Sequence, residues 1–427
     1  MLVVLIFFVF FVLMAIRVPL AYSMLASTSL YFLIVGDEAR GLYLQRIVGS
    51  LESFPLIAVP LFVLAGTAMA YGGIADRLMA FLNTLVGHWR GGLAQVNVLN
   101  SFLIGGMSGT ATADAAIDAR VLVPVMKRNG YSTEFAAALS AASSAIAPML
   151  PPSLLLILYG VYAETSISGL FIAGIVPAVV TGVVLSVVVY AIAVRRGYGA
   201  TRPSRAKFRE VLSTGWRSVF ALGMPLILLL GLRAGVFTPT ELAAAAAVYA
   251  LVVGLFIYRD IPLRKLRHVL VESARLTGVL MLLVAAGLSF SIMISLERVP
   301  DVIGGWIVAF SENPLIFLLL VNVMLLILGL AIEPLTLLII LAPILAPIAS
   351  QFDIDPLQFG VVIVLNLTLG AMSPPSGGII FAVVQITRVP MDKFVRELLP
   401  LFGALVGVLL LISYVPALST WLPGLWQ

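Results

Sequence analysis

The sequence predicts an all-α polytopic membrane protein built from two repeated units, each a helical hairpin followed by a helix that breaks at membrane depth. Three observations carry this. Of 427 residues, 61 % are hydrophobic and 11 % charged, with a mean hydropathy of +1.14, far more apolar than a soluble domain. Charge-free windows recur from 53–75 to 398–427, most of them near or above the ~20 residues that a spanning helix needs, so about a dozen membrane segments fit. Finally, "MLPPSLL" at 149–155 returns as "SPPSGG" at 373–378, with Pro151 lying over Pro374 at an offset of 223 residues.

The first stretch, "MLVVLIFFVFFVLMAI", lacks a basic n-region and a small-residue cleavage site and runs through Arg17 into more apolar sequence, so it reads as a retained helix. With no cysteine and only His88 and His268, disulfides, thiolate chemistry and soft-metal clusters are excluded; any bound ion is a hard one held by oxygens. No Ser–His–Asp set and no "GxxxxGK[ST]" loop occurs, which points to a transport protein rather than an enzyme, one that does not itself hydrolyse ATP. The basic residues lie between apolar spans, so their partner is the lipid bilayer and not nucleic acid. One cluster runs from Arg195 to Arg217 and another from Arg259 to Arg275; both fall on one side of the membrane, the cytoplasmic side by the positive-inside rule.

The 223-residue offset aligns "VLVPVMKRNGYSTEFAAALSAASSAIAPMLPPSLLLIL" with "ILAPIASQFDIDPLQFGVVIVLNLTLGAMSPPSGGIIF" without a gap, and places "GMSGTA" (106–111) over "GLAIEP" (329–334). Internal repeats of this kind are a signature of secondary transporters. Each unit reads in the same order. An apolar helix (about 93–105, about 314–328) reaches a glycine-containing tip, returns as a second helix (about 110–127, about 334–350) and ends in a polar turn. Ser132 and Asp355 then cap the next helix, with Pro356 at its first position and Gln358 in a capping-box pattern. That helix breaks at the prolines, which remove backbone donors and clash with the preceding turn. Unwound backbone at this depth is tolerated only where protein or a cavity surrounds it, so the break builds a site. The expected organisation is scaffold helices over 1–90, a first transport unit over 91–165, scaffold and linking helices over 166–312, a second transport unit over 313–388 and a C-terminal scaffold helix over 389–427. Within the linker, Thr238, Pro239 and Glu241 form a capping box, which makes Glu241 structural.

Candidate ligands gather at the tips and breaks. Ser108, Gly109, Thr110 and Asp114 supply hydroxyls, a carboxylate and free carbonyls suited to a dehydrated sodium ion; the competing reading is a small-residue packing motif. Ser143 and Ser144 before the first break, Asn366 and Thr368 before the second, and Gly329 at the second tip are the partner oxygens. A lone membrane serine more often bonds back one helical turn. Half-helices restarting at Pro152 and Pro375 aim positive dipole ends into the breaks, where Ser153, Ser373, Ser376 and the backbone of Gly377 offer donors to a carboxylate. Gly377 and Gly378 stand where the first copy has leucines, which points to the second break as the one that meets the substrate. Among acids near or within apolar segments Asp114 and Glu333 remain candidates, whereas Glu134 sits in a first turn, Glu164 in a loop, and Asp118 pairs with Arg120, Lys127 and Arg128 nearby.

The run "VPLFVLAGTAMAYGGIADRLMAFLNTLVGHWRGGLAQVNVLNSFLIGGMSGTATADAAIDARVLVPVMKRNGYS", with "APMLPPSLLLILYG", "TPTELAAAAAVYA" and "SPPSGG", resembles the large membrane subunit of TRAP (tripartite ATP-independent periplasmic) transporters over nearly the whole chain. The resemblance implies a sodium-coupled (Na+) secondary transporter of the bacterial inner membrane, with inverted repeats, re-entrant hairpins and an elevator-type moving domain. It implies two partners, a periplasmic substrate-binding protein and a small four-helix membrane subunit, and a carboxylated substrate. It carries site roles onto Ser108, Gly109, Thr110, Asp114, Pro151, Pro152, Ser153 and the stretch Ser373 to Gly377. Two positions depart from the family pattern: Thr110 replaces a commoner serine, and Asp118 a glycine. A stand-alone sodium/dicarboxylate carrier of the same superfamily, or a channel-like scaffold, is the alternative.

Overall fold

The structure, a computed structural model, describes residues 2–35, 43, 45, 49, 52–202, 204–233, 237–310, 312–374 and 377–426. Every regular element among them is helical. Six helices are long and apolar enough to cross a membrane, and eight if each of two bent pairs counts as one span; further apolar helices are 10–17 residues long. Among the described residues the long spans are thus fewer than the dozen expected segments, because several apolar stretches run through tips and breaks where the helix stops.

Both stretches run in the same helical order. The first hairpin has arms α1 (Gly92–Ser108) and α2 (Ala111–Arg128). Gly109 ends α1 with a left-handed φ of 65°, a conformation that glycine adopts without penalty, and Thr110 caps α2 by accepting from the Ala113 amide at 3.4 Å. The broken helix follows as α3 (Thr133–Ser143), capped by Ser132, and after a short helical turn and the Pro-Pro it resumes as α4 (Leu154–Tyr162), bent by 45°. The second unit repeats this with α5 (Pro314–Gly329), α6 (Pro334–Gln351), α7 (Pro356–Ala371) and α8 (Gly378–Thr387). Asp355 caps α7 through the Leu357 and Gln358 amides, at 2.8 and 3.0 Å. Gln358 does not close the expected capping box. Its side chain is buried and donates instead to the carbonyls of Ile412 and Ser413, because a buried amide needs tertiary partners more than an already capped amide needs a second one.

The two units interlock: α8 packs on α2 and α3 of the first unit, and α4 packs on α6 and α7 of the second. Around them stand α9 (Ala58–Tyr71), which packs against α10 (Pro239–Val252) and α11 (Leu263–Leu296), while α12 (Met391–Tyr414) lies along both broken helices. The expected capping box opens α10, with Glu241 Oε2 2.7 Å from the Thr238 amide. Preceding α10 in the basic linker, the helix Phe208–Arg217 exposes Phe208, Leu212 and Trp216 on one face and carries arginines at both ends. It is bent by 70° from the apolar helix that follows, as expected of a helix lying in the membrane interface.

Candidate functional site

The hairpin tips reach the breaks. In the first unit the Leu154 amide donates to the Gly109 carbonyl at 3.3 Å, tying the tip to the start of α4. A Cβ on Gly109 would stand 3.1 Å from the Pro152 carbonyl oxygen, so only glycine gives both the turn and this approach. In the second unit Gly329 and Gly370 meet backbone to backbone, and a Cβ on Gly329 would lie 2.5 Å from the Gly370 Cα. The first unit makes a similar approach, with Gly105 against Ala147. Small residues are required here because the arm and the broken helix approach at backbone distance.

The sequence-derived oxygens separate into groups. Ser143 Oγ donates to Asn97 Oδ1 at 2.8 Å, and the Asn366 amide donates to Asn322 Oδ1 at 2.7 Å. These repeat-related residues therefore tie each broken helix to the first arm of its own hairpin. Ser144, Thr368 and Ser373 bond back to carbonyls in their own helices at 2.7–2.9 Å, which occupies their hydrogens and leaves oxygen lone pairs. Asn366 keeps a buried acceptor, Oδ1, without a partner. Ser153 is fully buried and caps α4 through the Leu156 amide at 3.1 Å, so this half-helix starts at Leu154 and not at Pro152. The expectations for Pro375 and Ser376, and for the Ser108 side chain, fall outside the described residues; α8 begins at Gly378. Gly377 is held tightly, since a Cβ there would strike the Ala371 carbonyl, whereas Gly378 has open space. The close approach at Gly377 is thus to the chain's own backbone at the end of α7.

Asp118 makes none of the expected ion pairs. Two residues along a helix from Arg120 it faces elsewhere, and it lies fully buried with its Oδ1 accepting from Asn100 Nδ2 at 2.7 Å. Asp114, one turn earlier, is equally buried. Asn97, Asn100 and Asn322 were not singled out by sequence; a polar side chain inside an apolar run was the available signal.

Tips and breaks open on a cavity of about 680 Å³. The first unit lends it Gly109, Thr110 and Pro152, the second Glu333, Pro334 and Thr368, and α9 and α11 close it with Tyr71, Glu272 and Arg275. Glu272 is already engaged: the Tyr71 hydroxyl donates to its Oε2 at 2.8 Å and His268 Nε2 lies 3.5 Å away. Arg275 is the cavity's one cation among the described residues and makes no ion pair there.

The family described as "Tripartite ATP-independent periplasmic transporter, DctM component" matches residues 7–418. The chain belongs to this family. As a DctM-family chain it is a large permease subunit of a TRAP transporter, a multi-pass membrane transport protein rather than an enzyme. It is 38 % identical over 388 residues to the C4-dicarboxylate TRAP transporter large permease protein of Pseudomonas aeruginosa, covering 91 % of this chain and 90 % of the relative. To the sialic acid TRAP transporter large permease protein of Vibrio cholerae it is 37 % identical over 407 residues, covering 95 % of each. Among solved structures, the YdaH transporter of Alcanivorax borkumensis superposes with a TM-score of 0.66 at 15 % identity, over 95 % of this chain and 97 % of that one. MtrF of Neisseria gonorrhoeae superposes at 0.60 and 11 % identity, over 88 % and 84 %. At such identities these two superpositions speak for the fold alone.

Proposed function

We propose that this DctM-family chain carries out sodium-coupled uptake of a carboxylated small solute across the bacterial inner membrane, receiving the solute from a periplasmic binding protein and working with a small four-helix membrane subunit. The observation that carries the reading is the cavity between the two interlocked units and the surrounding helices, with Arg275 unpaired beside the two tips. An arginine with its fork free suits a carboxylate. The tips and breaks would supply oxygens for sodium, among them Ser144 Oγ and Thr368 Oγ1, whose hydrogens are already engaged, and Asn366 Oδ1. α9 and α11 both leave the cavity toward Gly73, Arg77 and Asp260, where Arg77 and Asp260 pair at 2.6 Å beside the basic stretch 259–275. By the positive-inside rule this end is the cytoplasmic one. The interlocked units then move as one body past α9 and α10 in an elevator-type cycle.

The test is reconstitution. Liposomes holding this chain and the small subunit, given an inward sodium gradient and the loaded binding protein, are expected to accumulate the carboxylated solute. Omitting the sodium gradient or either partner is expected to abolish accumulation. Accumulation by the isolated chain from free solute would favour the stand-alone carrier instead.

A further inference from the structure

Between the arms of the first hairpin, one and two turns below its tip, Asp114 and Asp118 on α2 face Asn100 and Ser101 on α1, and none of the four has accessible surface. Asn100 Nδ2 donates to Asp118 Oδ1. That bond leaves Asn100 Oδ1, Ser101 Oγ, both oxygens of Asp114 and Oδ2 of Asp118 without any partner. Ser101 Oγ lies near both carboxylates and is the one hydroxyl that could turn to either, though no close hydrogen bond is made. Two carboxylates and two neutral groups thus hold five unpaired oxygens in one buried cluster.

Such an arrangement is costly if nothing occupies it. Each buried, uncompensated carboxylate costs several kcal/mol, and two together repel. The protein offers little relief: no described arginine or lysine pairs with either, and Arg120, Lys127 and Arg128 on the same helix are exposed. The donor set is all oxygen, which selects a hard cation.

We propose that these four residues form a sodium site of their own, separate from the oxygens at the tips and breaks, with Asp118 supplying the second carboxylate. One sodium ion leaves the cluster with a single negative charge. The Asn100 amide and the N-terminal dipole of α2, whose first turn holds Asp114, lie on the side where they offset it. Because the ligands come from both arms, filling the site clamps the hairpin, and the ion travels wherever the hairpin goes. The site rests on the sodium-coupled reading only for its part in transport; ion binding itself does not depend on it.

The test measures sodium binding without substrate. The purified subunit in detergent is titrated with sodium chloride against choline chloride at constant ionic strength, and thermal stability is followed. Binding to the folded state raises stability with the logarithm of sodium, with a slope that counts ions. Asp118→Asn is expected to lower that slope by one ion. Ser101→Ala keeps the charge and is the second variant should Asp118→Asn fold poorly; it is expected to need about tenfold more sodium for half the effect, which is roughly 1.4 kcal/mol of affinity. Asn366→Ala, which touches the other oxygens, is expected to leave the Asp118-dependent component in place. In liposomes, Asp118→Asn is expected to move one sodium ion fewer per solute. A wild-type subunit with no sodium response overturns both this site and the coupling reading. A full wild-type response that persists in Asp118→Asn and Ser101→Ala overturns the site alone, as does a purely proton-dependent stabilisation of the pair.

Discussion

The side-chain amide of Asn366 donates to Oδ1 of Asn322 at 2.7 Å, which fastens the broken helix of the second unit to the first arm of its hairpin. Asn322 in turn donates to Ser413 Oγ at 2.9 Å, so α12 joins the same chain of bonds. The first unit has a counterpart in Ser143, Asn97 and Ser140. Polar links of this kind hold helices together where apolar burial gives little drive, since lipid is as apolar as the interface.

Asn322→Ala should therefore remove two side-chain bonds, leaving the Asn366 amide on the Asn322 carbonyl and the Ser413 hydroxyl on the Leu409 carbonyl. A loss of about 1 kcal/mol is expected, since two bonds go at the ~0.6 kcal/mol of an average membrane hydrogen bond and no group is left without a partner. Thermal unfolding in detergent checks it. In a double-mutant cycle with Asn366→Ala the two losses should add to more than the double mutant shows; simple additivity would mean that the bond contributes nothing.

The hairpins and their caps were legible because their signals are local: glycine at a tip, Ser132 or Asp355 before an apolar run, proline where a helix must stop. What sequence misread was tertiary. Gln358 fits a capping box by spacing, yet its side chain turns to α12. Asp118 has bases close in sequence, yet it faces the other arm of the hairpin, as only the packing of α1 on α2 reveals. Asn97 and Asn322 carry no local mark of their partners. Arg275 reads from sequence as one more member of an orienting basic cluster, and only the fold places it against the tips.

The glycine contacts predict a graded series. Gly329→Ala forces a methyl to within 2.5 Å of the Gly370 Cα, and Gly377→Ala drives one into the Ala371 carbonyl. Overpacking against backbone is expected to cost about 1–3 kcal/mol in each case. Gly403→Ala and Gly378→Ala meet nothing within 4 Å and are the controls. If the four variants unfold at the same temperature, close approach is not why the tips and breaks keep glycine.

At Arg275 charge and geometry can be separated. Arg275→Gln keeps the length and some donors but removes the charge that would meet a carboxylate, so KM for the solute is expected to rise about tenfold, roughly 1.4 kcal/mol, with a smaller change in maximal rate. Arg275→Lys should recover only part, because an ammonium cannot make the bidentate contact. Folding should be unaffected, as the side chain is exposed to the cavity. Uptake assays in reconstituted liposomes give both constants, and an unchanged KM in Arg275→Gln removes this residue from solute recognition.

Sodium dependence distinguishes anchoring from ligation at Asn366, whose two ends do different things. Its amide nitrogen is used twice, toward the Asn322 carbonyl at 3.1 Å and toward Asn322 Oδ1, while its own Oδ1 is buried and free. Asn366→Ala removes both ends, whereas Asn322→Ala removes one of the two anchoring bonds and leaves the free oxygen. If that oxygen is a sodium ligand, Asn366→Ala should shift the sodium concentration for half-maximal uptake several-fold further than Asn322→Ala does, with maximal rate at saturating sodium less affected. Ser108→Ala, at the other tip, should behave like Asn366→Ala, since each variant removes one oxygen from a set made mainly of carbonyls. Equal sodium curves for Asn366→Ala and Asn322→Ala would assign Asn366 to anchoring alone, and wild-type curves in both Asn366→Ala and Ser108→Ala would take these two residues out of the ligand set.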